Sequence, residues 1–345
     1  MNQDSYFYFF KLANNLKTAL QDYFCNMIKV LFIINKWADF KPDHGISNEQ
    51  HNYVESLKST YLAETECFYV DEHLIKYNKP YDKALITYCE KIHPHVIYVT
   101  LPRGLNFHVQ PETLSRISES IGAKIIAVFP DTYTPNDSNR ILKYYDFIDL
   151  ILLQDSYAHV LQNLANKKKC FPIWTPQNPD YFFKENDKKE IDVSFIGSVF
   201  RYPERKLAVT LCSRVIKNFI HRGGQDEDNL DIRDYSLLIR KSKISLNFSK
   251  PVFDEQGSQC KGRVFEIILS GSLLMEQKNI ETQRWLTPDK DYVEWQNEKQ
   301  LVEKIKYYLQ NTRERQRISN SGYKKANEKY SAKIYWQTVF NYIGL

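Results

Sequence analysis

The sequence predicts two successive α/β domains, each built on a doubly wound parallel sheet. Short apolar runs rich in β-branched residues alternate with stretches of helical periodicity through most of the 345 residues. Such alternation with short links is typical of parallel sheets that carry helices on both faces. The segment 175–190 interrupts the alternation with two prolines and a run of charges, as a linker between domains does. We therefore expect one domain over 27–180 and a second over 181–331.

The first domain is predicted to begin at Met27, directly before an apolar run that forms a buried strand at 28–34. The remaining elements alternate along the chain. Strands are predicted at 65–70, 96–101, 124–129, 149–153 and 171–174, and helices at 81–92, 111–121, 137–145 and 155–165.

Residues 1–26 precede this domain as an extension. Apolar side chains such as Phe9, Leu12, Leu16 and Leu20 recur at three- and four-residue steps, which predicts an amphipathic helix over 5–26. An apolar stripe needs to be covered. We expect it to dock on its own domain, on a second subunit in a homo-oligomer, or on a membrane surface.

The second domain repeats the pattern of the first. Strands are predicted at 192–196, 216–221, 244–248 and 271–275, with helices at 203–215, 263–270 and 298–312. The tail 331–345 is a further amphipathic helix, and we expect its residues 332–345 to pack back on the first domain. Two Rossmann-like domains in succession form a GT-B-like architecture, with ligands in the cleft between the strand ends.

Composition limits the partners and the compartment. The net charge of +5 and the mixed signs suit a phosphate-bearing ligand but lack the clustered charge of a nucleic-acid-binding protein. The six cysteines are scattered without a CxxC pair, which predicts free thiols in the cytoplasm and no metal site. Neither a signal peptide nor an apolar run of membrane-spanning length is present. We expect a cytoplasmic protein, with any membrane contact peripheral and at the inner face.

A basic loop followed by a helix is the most informative segment. A predicted strand ends at Asn247, Lys261 and Arg263 precede or begin a helix, and Glu266 follows one turn later. Helix N-termini and basic side chains attract a diphosphate, and a carboxylate can accept hydrogen bonds from both hydroxyls of a ribose. Alternatively, Arg263 and Glu266 form an ordinary solvated i,i+3 pair. The run 257–264 imitates a P-loop but has Arg and Val where the P-loop has Lys and Ser or Thr.

The pattern R-x-F-E-x4-G at Arg263, Phe265, Glu266 and Gly271 follows a strand that ends in Leu-Asn. It resembles the glycosyltransferases of the spore-maturation CgeB-like group, distant relatives of family 4 glycosyltransferases with a GT-B fold. The segments 292–295, 314–322 and 330–331 also resemble this group, as does the loop after 192–196. The likeness covers about 190–335 and is mainly topological over 27–180.

The resemblance implies transfer of a sugar from a nucleoside-diphosphate sugar to a glycan or small-molecule acceptor held by the first domain, as in polysaccharide biosynthesis. It implies no metal and no cofactor, the nucleotide sugar being a substrate. By the same resemblance Glu266 would bind the ribose. The diphosphate would face Arg263 and the loop that holds Gly197, Ser198 and Arg201, and Asn247, Lys261 and Gly271 complete the expected donor site. The sequence departs from the family at Ser258, where the E-x7-E element would have its first Glu, so the stereochemical outcome stays open.

Two polar residues of the first domain are candidates for activating the acceptor. Asp131 follows the predicted strand 124–129, and His44 lies in the loop after 28–34. A general base must reach the acceptor hydroxyl, and strand ends border the expected cleft. Asp131 also suits a simple turn. Two alternatives to a transferase remain: a degenerate GT-B protein that binds a nucleotide or a partner, and a nucleotide-sugar 2-epimerase.

Overall fold

A computed structural model describes residues 27–102, 108–132, 137–154, 169–185, 188–223, 230–248, 250 and 259–345. The predicted helices at 5–26 and 155–165 lie outside these ranges. Among the described residues, no helix is long and apolar enough to cross a membrane.

The first sheet has six described strands, all parallel, in the order β2-β1-β3-β4-β5-β6. Every strand lies within two residues of its predicted position, because the four central strands are apolar runs buried from both faces. The strands are β1 Ile28–Ile34, β2 Ala63–Tyr69, β3 Val96–Thr100, β4 Lys124–Phe129, β5 Leu150–Leu153 and β6 Cys170–Pro172.

Helices cover both faces of this sheet. One of them runs from Pro111 to Ile121 as predicted, because a proline opens its first turn and Gly122, at φ +71°, ends it. The predicted helix 137–145 is shorter than expected: it ends at Leu142, and a 3₁₀ turn follows over Tyr145–Phe147. The described helices are α1 Ser56–Lys58, which continues a π-helical stretch over Gln50–Glu55, α2 Val70–Tyr77, α3 Asp82–Ile92, α4 Pro111–Ile121 and α5 Asp137–Leu142.

The second sheet has five described parallel strands in the order β11-β10-β9-β7-β8. The strand predicted at 271–275 starts two residues late, because Gly271 turns the chain at φ +69° before it extends. The strands are β7 Ile191–Ile196, β8 Phe219–Arg222, β9 Ser242–Asn247, β10 Leu273–Gln277 and β11 Val293–Trp295.

Three helices around the second sheet are absent from the sequence-based prediction: α7 Ile232–Arg240, α9 Ile280–Gln283 and α11 Thr312–Lys329. The predicted helix 298–312 is confirmed as α10, Glu298–Gln310, and α11 begins after Asn311. The helices are α6 Pro203–Val215, α7 Ile232–Arg240, α8 Gly262–Leu269, α9 Ile280–Gln283, α10 Glu298–Gln310, α11 Thr312–Lys329 and α12 Ala332–Tyr342.

Each sheet has a point where successive connections leave in opposite directions. In the first sheet β1 lies between β2 and β3, and in the second sheet β7 lies between β8 and β9. Parallel sheets of this kind bind ligands in the crevice at the carboxyl ends of the strands beside such a point. The residues after β1, β3, β7 and β9 are therefore expected to border a ligand site.

The last helix, α12, packs on the first sheet although it follows the second in sequence. Trp336 is fully buried, lies edge-on to Phe32 and donates from Nε1 to Ser56 Oγ at 3.0 Å. The Tyr335 hydroxyl is 2.8 Å from that of Tyr98 on β3. The chain therefore crosses between the two sheets twice, once before β7 and once before α12.

Candidate functional site

A cavity of about 880 Å³ lies between the carboxyl ends of the two sheets. Its walls come from both sheets at the points described above. The first sheet contributes mainly polar side chains, among them His44, Asn48, Glu49, His51, Asn52, Tyr53, Thr100, Gln154 and Thr175. The second contributes Gly197, Ser198, Gly223, Leu230, Asp231, Ile232, Tyr235, Lys261, Gly262, Arg263 and Glu266.

Five of the predicted donor-site residues meet on one wall of this cavity. Gly197 and Ser198 follow β7, and Lys261, Arg263 and Glu266 lie at the start of α8. Residues more than 60 positions apart are brought together because β7 and β9 are neighbours in the sheet and α8 follows the loop after β9. These five residues bring two cations and one carboxyl group to the wall.

A tyrosine connects the arginine and the glutamate. Arg263 Nε donates to the Tyr235 hydroxyl at 3.3 Å, and that hydroxyl donates to Glu266 Oε2. Arg263 Nη1 also points to Asn247 Oδ1 at 3.5 Å. All three cavity-lining side chains are partly buried, so Arg263 and Glu266 are not a simple pair on a solvated helix face.

The charges of this group depend on one another. Burial raises the pKa of Glu266, while Arg263 and the Tyr235 hydroxyl act in the opposite direction. Burial lowers the pKa of Arg263, but Tyr235 and Glu266 raise it by more. Burial is also the main cause of the raised pKa of Tyr235. Tyr235 therefore stays protonated at neutral pH, a hydrogen-bond donor between a cation and a carboxyl group.

Gly197 lets the arginine lie against the loop after β7. Its φ is +151°, and a Cβ at this position would lie 3.2 Å from both Nη1 and Nη2 of Arg263. The loop is held in place by Gly197 N–H, which donates to Arg222 O at 2.8 Å, and by Arg205 Nη1, which donates to Ser198 O at 2.7 Å. Arg205 was not among the predicted residues.

A buried carboxyl group lies behind this wall. Glu276, at the end of β10, is not exposed at all and accepts from Asn247 Nδ2 at 2.9 Å and Asn279 Nδ2 at 3.1 Å. Burial raises its pKa to about 7. Because Asn247 also faces Arg263, the carboxyl group of Glu276 orients the amide that helps to hold the arginine.

On the opposite wall, a carboxylate ties the loop after β1 to β3. Glu49 accepts from the Asn35 N–H at 2.8 Å and from Thr100 Oγ1 at 2.8 Å. Burial raises its pKa to about 6. Beside it, Gln154 Nε2 donates to the hydroxyls of Tyr53 and Thr175. This wall presents hydroxyl, amide and carboxyl groups, which can contact the hydroxyls of a polar molecule.

The two predicted catalytic residues differ in position. His44 lines the cavity, with Nδ1 3.1 Å from Asp39 Oδ2. Asp131 is not among the lining residues, whereas the preceding Pro130 is. Its carboxylate accepts from Gln259 Nε2 at 2.9 Å, which connects the loop after β4 to the segment before α8.

Three predicted donor residues also lie off the cavity wall. Asn247 contacts Arg263 from behind, and Arg201 lines a separate cavity of about 110 Å³ beside Tyr202 and Trp295. Gly271 lies at the far end of α8, where a Cβ would be 2.6 Å from Lys184 Cγ. This position requires glycine because Lys184 approaches closely and because φ is positive.

Tyr235 is the main residue that the sequence-based prediction missed. A local signal for its helix exists: Asp231 accepts from the N–H groups of Arg233 and Asp234 as an N-cap, and apolar residues follow at helical spacing. The direction in which Tyr235 points, toward a helix 30 positions later, is set by the packing of α7 beside α8.

The family model described as "Glycosyl transferase-like" matches residues 181–341. The matched region contains α7, α8 and the whole second sheet. No curated protein matches the sequence.

Solved structures resemble the fold over nearly the whole chain. One is Anabaena Alr3699/HepE in complex with UDP-glucose, with a TM-score of 0.62, 11% identity, and coverage of 92% of this chain and 100% of that one. Another is sucrose-phosphate synthase from Thermosynechococcus elongatus, with a TM-score of 0.59, 10% identity and coverage of 91% and 98%. A third, assigned as a UDP-N-acetylglucosamine 2-epimerase of Listeria monocytogenes, has a TM-score of 0.55, 11% identity and coverage of 92% and 96%. The fold is the GT-B fold, as predicted.

Proposed function

We propose that the chain is a glycosyltransferase that uses a nucleoside-diphosphate sugar as donor. The observation that carries the proposal is the group formed by Arg263, Tyr235 and Glu266 on the cavity wall. The match of residues 181–341 to a glycosyl transferase-like model supports transfer over epimerisation. We assign the chain to the CgeB-like group because of the sequence pattern that contains Arg263 and Glu266.

In this proposal each part of the donor has its own contacts. Glu266 accepts hydrogen bonds from the ribose hydroxyls, and Arg263, Lys261 and the loop at Gly197 and Ser198 receive the diphosphate. These cations stabilise the charge that develops on the departing diphosphate, so that the transfer needs no metal. The HepE structures are complexes with UDP, with UDP and glucose, and with UDP-glucose. We therefore choose UDP and UDP-glucose as the first probes.

The acceptor enters from the wall formed by the first sheet. We propose that it is a hydroxyl-bearing glycan or small molecule, and that the reaction takes place in the cytoplasm. His44 is the candidate for receiving the acceptor proton, since it lines the cavity. Asp131 would act only if its bond with Gln259 were exchanged for one with the acceptor.

Glu266→Gln tests the donor site. Gln keeps the shape but loses the charge, so we expect the affinity for UDP to fall by about 1.5–3 kcal/mol, or about 10- to 150-fold. Binding is measured by calorimetry and folding by the melting temperature. The matched control is Glu66→Gln, since Glu66 also accepts from a tyrosine hydroxyl, that of Tyr88 at 3.0 Å, but does not line the cavity.

The outcomes separate the candidate functions. A stability change of a few tenths of a kcal/mol with unchanged UDP affinity would fit a structural ion pair and contradict the donor site. UDP-glucose binding without release of UDP in the presence of acceptors would indicate a nucleotide-binding protein. Conversion of UDP-N-acetylglucosamine to its 2-epimer would indicate an epimerase.

A further inference from the structure

Tyr235 occupies a fixed place in the wall of the cavity. It lies one turn into α7, whose start is fixed by the Asp231 cap, with carboxylate-to-nitrogen distances of 2.8 and 2.9 Å. Its ring lies edge-on to that of Phe182, with centroids 6.1 Å apart. A helix cap and an aromatic contact therefore position the side chain without any ligand.

The hydroxyl of Tyr235 has a defined direction. A tyrosine hydroxyl has one proton to donate, and the Glu266 carboxylate can only accept it. The Arg263 guanidinium can only donate, so its Nε–H points to the lone pairs of the same oxygen. The order of donation is thus Arg263 to Tyr235 to Glu266, and it leaves no rotational freedom to the hydroxyl.

This arrangement restrains the Glu266 carboxylate. A carboxylate has two oxygens and about four acceptor positions. Tyr235 occupies one position on Oε2, and the plane of the group is set by this bond. The remaining positions are available to a ligand in the cavity, in an orientation chosen before the ligand arrives.

We propose that Tyr235 is a positioning residue that makes the site selective for ribonucleotides over 2′-deoxyribonucleotides. It holds the Glu266 carboxylate so that both ribose hydroxyls find an acceptor at once. The inference rests on the proposed function and deepens it, because it names a residue outside the predicted donor set and the sugar of the nucleotide that it selects. Without the hydroxyl, the carboxylate turns freely and its contacts with the diol become weaker.

The test is the ratio of affinities for UDP and 2′-deoxy-UDP, measured by calorimetry. In the wild type we expect UDP to bind about tenfold more tightly, the worth of one hydrogen bond to a charged group. In Tyr235→Phe we expect UDP affinity to fall about tenfold and 2′-deoxy-UDP affinity by a smaller factor, so that the ratio drops to about two. Tyr88→Phe, which removes a hydroxyl from Glu66 away from the cavity, should leave the ratio unchanged.

A second variant pair checks that Tyr235 acts through Glu266. In the Glu266→Gln background, adding Tyr235→Phe should change neither affinity by more than about twofold. This comparison also serves if the single variant fails to fold, because the double variant has no carboxylate left without its hydrogen-bond donor.

Each contrary result has its own meaning. The positioning role would be overturned if the affinity ratio of Tyr235→Phe equalled that of the wild type, whether neither affinity fell or both fell by the same factor. UDP binding would still support the proposed function. A further tenfold loss in the Glu266→Gln background would show that Tyr235 acts independently, which also overturns it. If the wild type binds none of UDP, ADP, GDP, CDP and dTDP, the proposed function is wrong and this inference is wrong with it. Binding of dTDP alone would overturn this inference and leave the proposed function standing.

Discussion

The buried carboxyl group of Glu276 should make the protein less stable as the pH rises. It has no solvent exposure, and its partners are the neutral amides of Asn247 and Asn279. Burial raises its pKa from 4.5 to about 7. A carboxyl group in the unfolded chain ionises near 4.5, so between these two pH values the folded protein binds more protons than the unfolded chain.

The difference in bound protons sets the sign and the size of the change in stability with pH. Where the folded state binds more protons, the free energy of unfolding falls with rising pH. A shift from 4.5 to about 7 corresponds to about 3 kcal/mol, most of which is lost between pH 5 and pH 8. Above pH 8 the carboxyl group is ionised in both states and contributes no further change.

The assay is urea unfolding of the wild type and of Glu276→Gln at pH 5 and pH 8. Gln does not ionise, so the wild type should lose about 2.5 kcal/mol more than the variant between the two pH values. The raised pKa of Glu49 contributes to the pH dependence with the same sign in both proteins and cancels in the difference. Glu66→Gln should behave as the wild type does. An equal pH dependence in wild type and Glu276→Gln would refute the reasoning.

Two other substitutions test the site and the packing. Gly197→Ala places a methyl group 3.2 Å from both terminal nitrogens of Arg263, so UDP affinity by calorimetry should fall about tenfold, because a displaced guanidinium loses a charge-assisted contact. The control is Gly122→Ala, which has nothing within 4 Å of the added Cβ and should leave UDP binding unchanged. Equal UDP affinities in the wild type, Gly197→Ala and Gly122→Ala would show that the donor site does not require glycine at position 197. Trp336→Ala should lower the free energy of unfolding by about 3–5 kcal/mol through the cavity it leaves. Urea denaturation measures this loss, and a loss of unfolding free energy below about 1 kcal/mol would contradict the packing of Trp336.

The elements with local signals were predictable. The strands at 28–34 and 124–129 and the helix at 111–121 match the structure residue for residue. Their boundaries depend on an apolar run, a proline or a glycine within the same few positions. The end of the predicted helix 298–312 was right to within two residues, but α11 after it was not predicted. Its buried positions are Arg315, Ile318, Gly322 and Ala326, which give almost no apolar periodicity.

The site was predictable only in part, because its parts come from distant positions. Arg263 and Glu266 share a short run with a recognisable resemblance, and both line the cavity. The bond from Tyr235 depends on how α7 lies beside α8, and the support from Glu276 depends on the pairing of β9 with β10. Which residues of different strands and helices face one another does not follow from spacing along the chain.

The docking of α12 on the first sheet has a consequence for synthesis. The Tyr98 hydroxyl on β3 and the Ser56 hydroxyl find their partners in Tyr335 and Trp336, which lie 237 and 280 positions later. At about 5–20 residues per second, a ribosome completes the first sheet roughly 10–30 s before Trp336 is made. During that interval one face of a nascent domain exposes Phe32 and Tyr98 to solvent and to chaperones. A premature stop just before Ala332 would leave this face uncovered for good, and such a chain should be recognised by quality control even though both sheets are complete.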